Sequence, residues 1–458
     1  MGRAERPVAS VVLQKARKKR LEQGHPWVYA NEIAVLEGEA APGDLVEVKS
    51  HTGQYLATGY FNPASQISVR IVSYSPIEQM DRAFFVDRFQ QCGEYRRRFI
   101  KDATGYRLVY GEADFLPGLV VDKFGDVLVV QLLSLGMERR KQTIVEALAE
   151  VFQPRGIYER SDVPVRELEG LTQTKGVLYG DCPRFVDIIE NGLHIEVDIE
   201  QGQKTGYFFD QRENREAIGK LMTGWGGRSG IRLAADSETG KPTPVNANGK
   251  PVTFPYWDGA TVLECFSHTG SFTLNACQHG AKKVTCLDIS EHAIDNARRN
   301  VERNGFGERV EFVVADAFDY LREQVRGLDE RKARGAGSKI DTSKPVGAAG
   351  RTWDVVILDP PAFAKTKGAI AGALRGYKDI NLHALKLVNE GGFLVTASCS
   401  YHVRPDAFLQ TVLEAAADAR KIVRLVEYHG AGKDHPHIMG VDEGDYLKFA
   451  ILEVRSKN

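Results

Sequence analysis

No stretch of this 458-residue chain approaches the roughly 20 consecutive apolar residues that cross a bilayer. That argues against a spanning helix. The N-terminus also lacks the continuous hydrophobic core that directs secretion, so a cytoplasmic protein is expected. An excess of either charge is missing too: 60 Lys and Arg face 61 Asp and Glu, for a formal net charge of −1. Global charge therefore does not announce a nucleic-acid binder. None of the six cysteines (Cys92, Cys182, Cys265, Cys277, Cys286 and Cys399) forms a close Cys-x-x-Cys pair. A zinc ribbon and a thioredoxin-like site are disfavoured on that ground. In the cytosol they are expected as thiols, most of them small buried hydrophobes. His435 and His437 lack a third ligand at fitting spacing, so no metal is expected.

What is present matches globular protein, at 43% hydrophobic and 26% charged residues. The length exceeds one ordinary core, so two or three domains are expected. Residues 1–77 contain short alternating runs such as Leu45-Val46-Glu47-Val48, bounded by turn signals at Gly43-Asp44 and Thr52-Gly53. They predict a small β-barrel with Trp27 and the basic block Lys15, Arg17, Lys18, Lys19 and Arg20 near its start. That block, like Arg96-Arg97-Arg98 with Lys101, either binds phosphates or is the solvated face of a helix. Residues 78–180 predict a small α+β domain, with helices over 81–101 and 138–152 and a strand over 127–132.

Residues 181–458 alternate strands and helices, as βαβ units in a parallel sheet do. Strands are predicted at 261–265, 283–287, 310–314, 353–358 and 392–396. Two Gly-rich segments, 223–256 and 326–350, have no clear period and are read as insertions.

The chemistry gathers at the predicted strand ends, where ligands bind in open α/β sheets. Val262-Leu263-Glu264-Cys265 leads into Phe266-Ser267-His268-Thr269-Gly270, which is neither Gly-x-Gly-x-x-Gly nor a P-loop. Asp288 follows the second strand, where an acid can accept ribose hydroxyls. Asp316 follows the third, placed for an adenine amino group. Alone, an Asp after a strand is more often a turn former or helix cap. In this order, with Asp359-Pro360-Pro361 after the fourth strand, the set fits S-adenosylmethionine better than NAD. Cys399, between Ser398 and Ser400 just past the fifth strand, is the candidate nucleophile.

These residues carry a resemblance. Tyr207 to Arg215 (YFFDQRENR), Phe266 to Gly270 (FSHTG), Asp359 to Lys365 (DPPAFAK), Ser398-Cys399-Ser400, Asp434-His435-Pro436 and Tyr446-Leu447-Lys448 are similar to the 23S rRNA large-subunit methyltransferase I family. The likeness spans nearly the whole chain. It implies a PUA-like RNA-binding module, a central α+β domain and a Rossmann-like class I methyltransferase domain that modifies carbon 5 of cytosine. It further implies Gln211 and Arg212 flanking the cofactor, and Phe266, Ser267, Thr269 and Gly270 under its methionine moiety. Asp288 would hold the ribose, Asp316 the adenine, and Asp359 would border both cofactor and base. Cys399 would attack carbon 6, Pro360 and Pro361 would present carbonyls to the base, and Phe363 would stack on it or pack as wall. Partners implied are 23S rRNA and a second copy of the chain. Other RNA cytosine methyltransferases often carry a second cysteine where this chain has Ala362, so the base that removes the carbon 5 proton is unassigned. The rivals are amino-group methylation, which needs no cysteine, and a non-catalytic RNA-binding protein.

Overall fold

The computed structural model describes residues 9–225, 232–240, 242–251, 259–334 and 350–457. The chain gathers into two compact units: residues up to Asp210 with Gly432–Gly444, and Gln211–Ala431 with Asp445 onward. The hairpin Phe185–Glu190/Leu193–Asp198, which the sequence groups with the last domain, falls in the first unit.

In the first unit, six strands between Ser10 and Ser73 form one sheet. Its edge strands, Trp27–Tyr29 and Ile33–Glu37, are joined by one 3-10 turn, Ala30–Glu32. The two edges are therefore neighbours in space, and the sheet rolls around Val11, Val46, Val48, Val69 and Ile71. A second sheet has five strands in the order 174–180, 156–161, 127–132, 119–124 and 105–110. Helices Arg82–Phe99 and Lys141–Phe152 pack on it through Phe85, Phe89, Ile144 and Leu148.

The basic blocks behave differently from expectation. Residues 15–20 form an irregular connection rather than a helix face, because the chain must turn between a strand and the 3-10 turn Leu21–Gln23. Lys15, Lys18 and Lys19 are exposed. Arg17 pairs with Glu22 at 2.6 Å, and Arg20 lies over the Tyr29 ring. Arg96 is buried, with its guanidinium forked on Asp114 at 2.7 Å through both nitrogens. It is structural rather than a phosphate ligand.

The second unit is built on a seven-stranded sheet: β1 (Thr261–Cys265), β2 (Lys283–Asp288), β3 (Val310–Val314), β4 (Trp353–Leu358), β5 (Val388–Ser398), β6 (Lys421–His429) and β7 (Lys448–Ser456). The order is β3-β2-β1-β4-β5-β7-β6. The first five are parallel, and β7 inserts antiparallel between β5 and β6. The connections are helices α1 (Ser271–Gln278), α2 (Glu291–Arg303), α3 (Ala317–Arg334), α4 (Ile370–Leu387) and α5 (Pro405–Asp418). Leu263, Val356, Leu358 and Leu394 of the sheet pack on Tyr377, Ile380 and Phe408 of α4 and α5.

Helix α3 continues to Arg334, so the first nine residues of the predicted 326–350 insertion are helical. Its apolar positions Leu321, Val325 and Leu328 recur at helical spacing and pack on the core, which outweighs the Gly-rich composition downstream. In the 223–256 segment, Arg232–Ala235 and Pro242–Val245 pair as a hairpin. The remaining parts of both segments, 226–231, 241, 252–256 and 335–349, lie outside the described residues. No described helix is long and apolar enough to cross a membrane.

Candidate active site

Parallel strands aim their C-terminal ends at one edge of a sheet, and strand order reverses between β1 and β4. A crevice opens at such a point. The sequence delivers Phe266, Asp288, Asp316, Asp359 and Cys399 to this edge, one from the end of each parallel strand.

The loop after β1 is tight. Phe266, His268 and Gly270 take φ of 64°, 48° and 74°. Left-handed backbone is costly for non-glycine residues, so the surroundings must hold it. The Ser267 N–H donates to Leu287 O at 3.0 Å and the Gly270 N–H to Ser267 O at 2.8 Å. The His268 N–H donates to Asp288 Oδ2 at 2.9 Å. A Cβ on Gly270 would stand 3.0 Å from that of Ala297, so glycine also lets α2 approach. Ser267 and Thr269 are buried, and Phe266 meets Phe318 edge-on at 6.4 Å.

Asp288 has a second backbone partner, accepting from the Ser290 N–H at 2.9 Å. Asp316 accepts from the N–H groups of Phe318 and Asp319, which makes it the cap of α3. Asp359 accepts from Gln211 Nε2 at 2.9 Å, and Gln211 Oε1 accepts from Asn214 Nδ2 at 2.7 Å. Asn214 also donates to Gly430 O, so a relay fixes the Asp359 carboxylate. Arg212, beside it, is buried at the start of the short helix Arg212–Ala217.

The Cys399 thiol donates to Pro360 O at 3.7 Å, joining the ends of β4 and β5. Ser400 Oγ strengthens the junction, accepting from the Ala364 N–H at 3.1 Å and lying 2.9 Å from the Tyr377 hydroxyl. Pro361 is exposed, while Phe363 packs on Tyr377 and Phe318 at ring distances of 4.6 and 5.8 Å. Burial pushes the thiols of Cys92, Cys265, Cys277 and Cys286 well above the ordinary range. Cys399 is half-buried, just past the end of β5. Lys15, Arg17, Lys18, Lys19 and Arg20 belong to the first unit.

Two further residues sit here that the sequence reading quotes without a role. Glu264, in the middle of the buried β1 run, is 2% exposed and accepts from the Thr273 N–H at 2.8 Å and from its hydroxyl. Burial, reinforced by Asp359 and Asp288, pushes its carboxyl up to about 8. A charged residue inside a strand core was the available signal. Lys448, at the start of β7, is fully buried opposite Ser398.

A loop without lysine or arginine, next to three carboxylates, offers no cationic side chain to a pyrophosphate. It suits a ligand that is cationic and rich in hydroxyls, as a sulfonium nucleoside is. The residues present thus fit S-adenosylmethionine.

The comparisons agree. A model described as a PUA-like domain matches residues 11–74, and one described as a methyltransferase domain matches 262–327. In structure, the chain is similar to a candidate SAM-dependent methyltransferase from Streptococcus mutans, with TM-score 0.71 and 19% identity over 97% of this chain and 99% of that one. It is likewise similar to a methyltransferase complexed with SAH, at TM-score 0.72 and 20% identity with the same coverage. These share the fold. In sequence it is 40% identical to the ribosomal RNA large subunit methyltransferase I of Vibrio campbellii, over 96% of this chain and 98% of the relative. It is 38% identical to that of Escherichia coli O139:H28, over 96% and 97%. At that identity over nearly full length, the chain belongs to the ribosomal RNA large subunit methyltransferase I family.

Proposed function

We propose that this chain methylates carbon 5 of a cytosine in 23S rRNA through a covalent Cys399 adduct. The observation that carries the reading is the Cys399 thiol at the end of β5, bonded to the Asp359-Pro360-Pro361 turn. S-adenosylmethionine supplies the methyl group when bound. In this reading Phe266, Ser267, Thr269, Gly270, Asp288 and Asp316 hold the cofactor, with Gln211, Arg212 and Asp359 beside it.

Carbon 5 of cytosine is a weak nucleophile. The Cys399 thiolate adds to carbon 6, opening the carbon 5–carbon 6 double bond and placing electron density on carbon 5. Asp359, oriented by Gln211, hydrogen-bonds the base amino group or its ring nitrogen, and a proton shared with the ring nitrogen takes up the electron density that the addition sends into the ring. Carbon 5 takes the methyl group. Loss of its proton re-forms the double bond and expels the thiolate. Pro360 and Pro361 present the turn to the base, and Phe363 forms the wall beside it.

Lys15, Lys18 and Lys19, being exposed, are the phosphate contacts we assign on the first unit, with Arg17 and Arg20 shaping that surface. The division of labour follows the sequence reading, with RNA binding in 1–77 and a central domain in 78–180, while catalysis is assigned to the part of 181–458 that forms the second unit. The assignment includes a cytoplasmic homodimer.

The test is methyl transfer from labelled S-adenosylmethionine to unmodified 23S rRNA, with nucleosides identified by mass spectrometry. We expect 5-methylcytidine from the wild type and none from Cys399→Ala. An N-methylated product, or full activity in the variant, would overturn the reading.

A further inference from the structure

Lys448 is a costly residue to have where it is. Its side chain is fully buried, and its hydrogen bonds go to carbonyls rather than to a carboxylate. Nζ donates to two carbonyls, Ser400 O and Tyr446 O, both at 2.7 Å. Two neutral acceptors serve three N–H groups. Burying an ammonium costs solvation that two neutral carbonyls return only in part, and apolar side chains often fill such buried sites at least as stably. A purely structural role explains the position poorly.

The register places it at the strand end that leads into Cys399. Lys448 pairs with Ser398, the last residue of β5, and its proton is shared with the carbonyl of Ser400. Cys399 is the residue between them. Burial pushes the Lys448 ammonium down to about 8, while negative charge on Cys399 and, to a lesser degree, on Asp445 pulls it back up. Charge on either group therefore favours the opposite charge on the other. Tyr377 of α4 also senses Cys399, its hydroxyl pushed up by burial and by that thiol, and the thiol itself bonds the carbonyl of Pro360, the residue after Asp359.

We propose that Lys448 is the positioning residue that holds Cys399 as a thiolate, its ammonium supplying the counter-charge from the third strand of the junction. This gives the proposed cysteine mechanism its source of activation and rests on that reading for its biological use. The residue acts through Cys399 and takes no proton from the base.

Thiol ionisation can be read without RNA or cofactor. Iodoacetamide alkylation of Cys399 in the full chain would be followed by peptide mass spectrometry across pH, in the wild type, Lys448→Met and Lys448→Arg. We expect a wild-type midpoint below the ordinary thiol value of roughly 8.5. Lys448→Met should raise it by about one pH unit or more and slow alkylation near neutrality about tenfold, while Lys448→Arg keeps the low midpoint. A wild-type midpoint at or above the ordinary value, or an unchanged one in folded Lys448→Met, overturns the proposal. If Lys448→Met does not fold, the wild-type and Lys448→Arg midpoints decide alone. A lowered midpoint in a chain that makes no 5-methylcytidine would sink the cytosine reading and leave the Lys448 pairing standing. An ordinary midpoint in an active enzyme would do the reverse.

Discussion

Replacing Glu264 by glutamine should remove a pH dependence of stability that the wild type carries across neutrality. The carboxyl is buried in β1, and its folded value is pushed from 4.5 to about 8, chiefly by lost solvation. The unfolded chain keeps the ordinary value. The folded state thus holds the proton more tightly, and this contribution is fully present below about pH 4.5 and lost as pH rises through about 8. The whole gap is worth at most about 5 kcal/mol. Between about pH 6 and pH 8 the wild type should lose roughly 2 kcal/mol relative to Glu264→Gln. A glutamine oxygen can still accept from the Thr273 N–H and hydroxyl, so the variant keeps the bonds that tie β1 to α1. Urea denaturation of both proteins without cofactor, followed by intrinsic fluorescence over that range, reads the difference directly. Parallel curves would refute the reasoning, since they would mean that Glu264 titrates alike in the folded and unfolded chains.

Three other perturbations follow from the same geometry. Asp288→Asn should weaken SAH binding tenfold or more by calorimetry, because an amide has one oxygen to offer the two N–H groups of His268 and Ser290; unchanged affinity would remove Asp288 from the cofactor site. Arg96→Ala should cost about 3–5 kcal/mol in thermal or chemical denaturation, since it strands the Asp114 carboxylate in a buried site. Gly136→Ala should cost about 1–3 kcal/mol in the same assay, because its Cβ would stand 2.3 Å from the buried Tyr60 ring, whose hydroxyl is held by Pro117 O and Ser134 Oγ.

Much of the site was legible because parallel strands turn sequence order into spatial order. Each apolar run from Val262 to Val395 predicted a strand, and whatever follows a strand must fall at the same edge of the sheet. That rule brings Phe266, Asp288, Asp316, Asp359 and Cys399 together without any knowledge of their contacts. It does not say which contacts they make. Asp316 caps α3, and Asp288 braces the loop that carries His268; both use backbone N–H groups a few residues or a whole helix away.

What escaped the sequence reading has the opposite character. Strands β6 and β7 were not predicted, although the run Phe449 to Leu452 is continuously apolar, and their order in the sheet inverts their order in the chain. That inversion is what seats Lys448 against Ser398, fifty residues earlier and one residue before Cys399. The placement of Gly432–Gly444 with the first unit is equally invisible to local pattern. Local periodicity and strand-end motifs are properties of neighbouring residues, so the sequence alone determined the class of fold, the edge where the candidate site residues collect and the thiol we propose as nucleophile. The burial of Lys448 opposite Ser398 and of Glu264 against Thr273 depends on strands and helices packed across the sheet, and these only the tertiary structure decided.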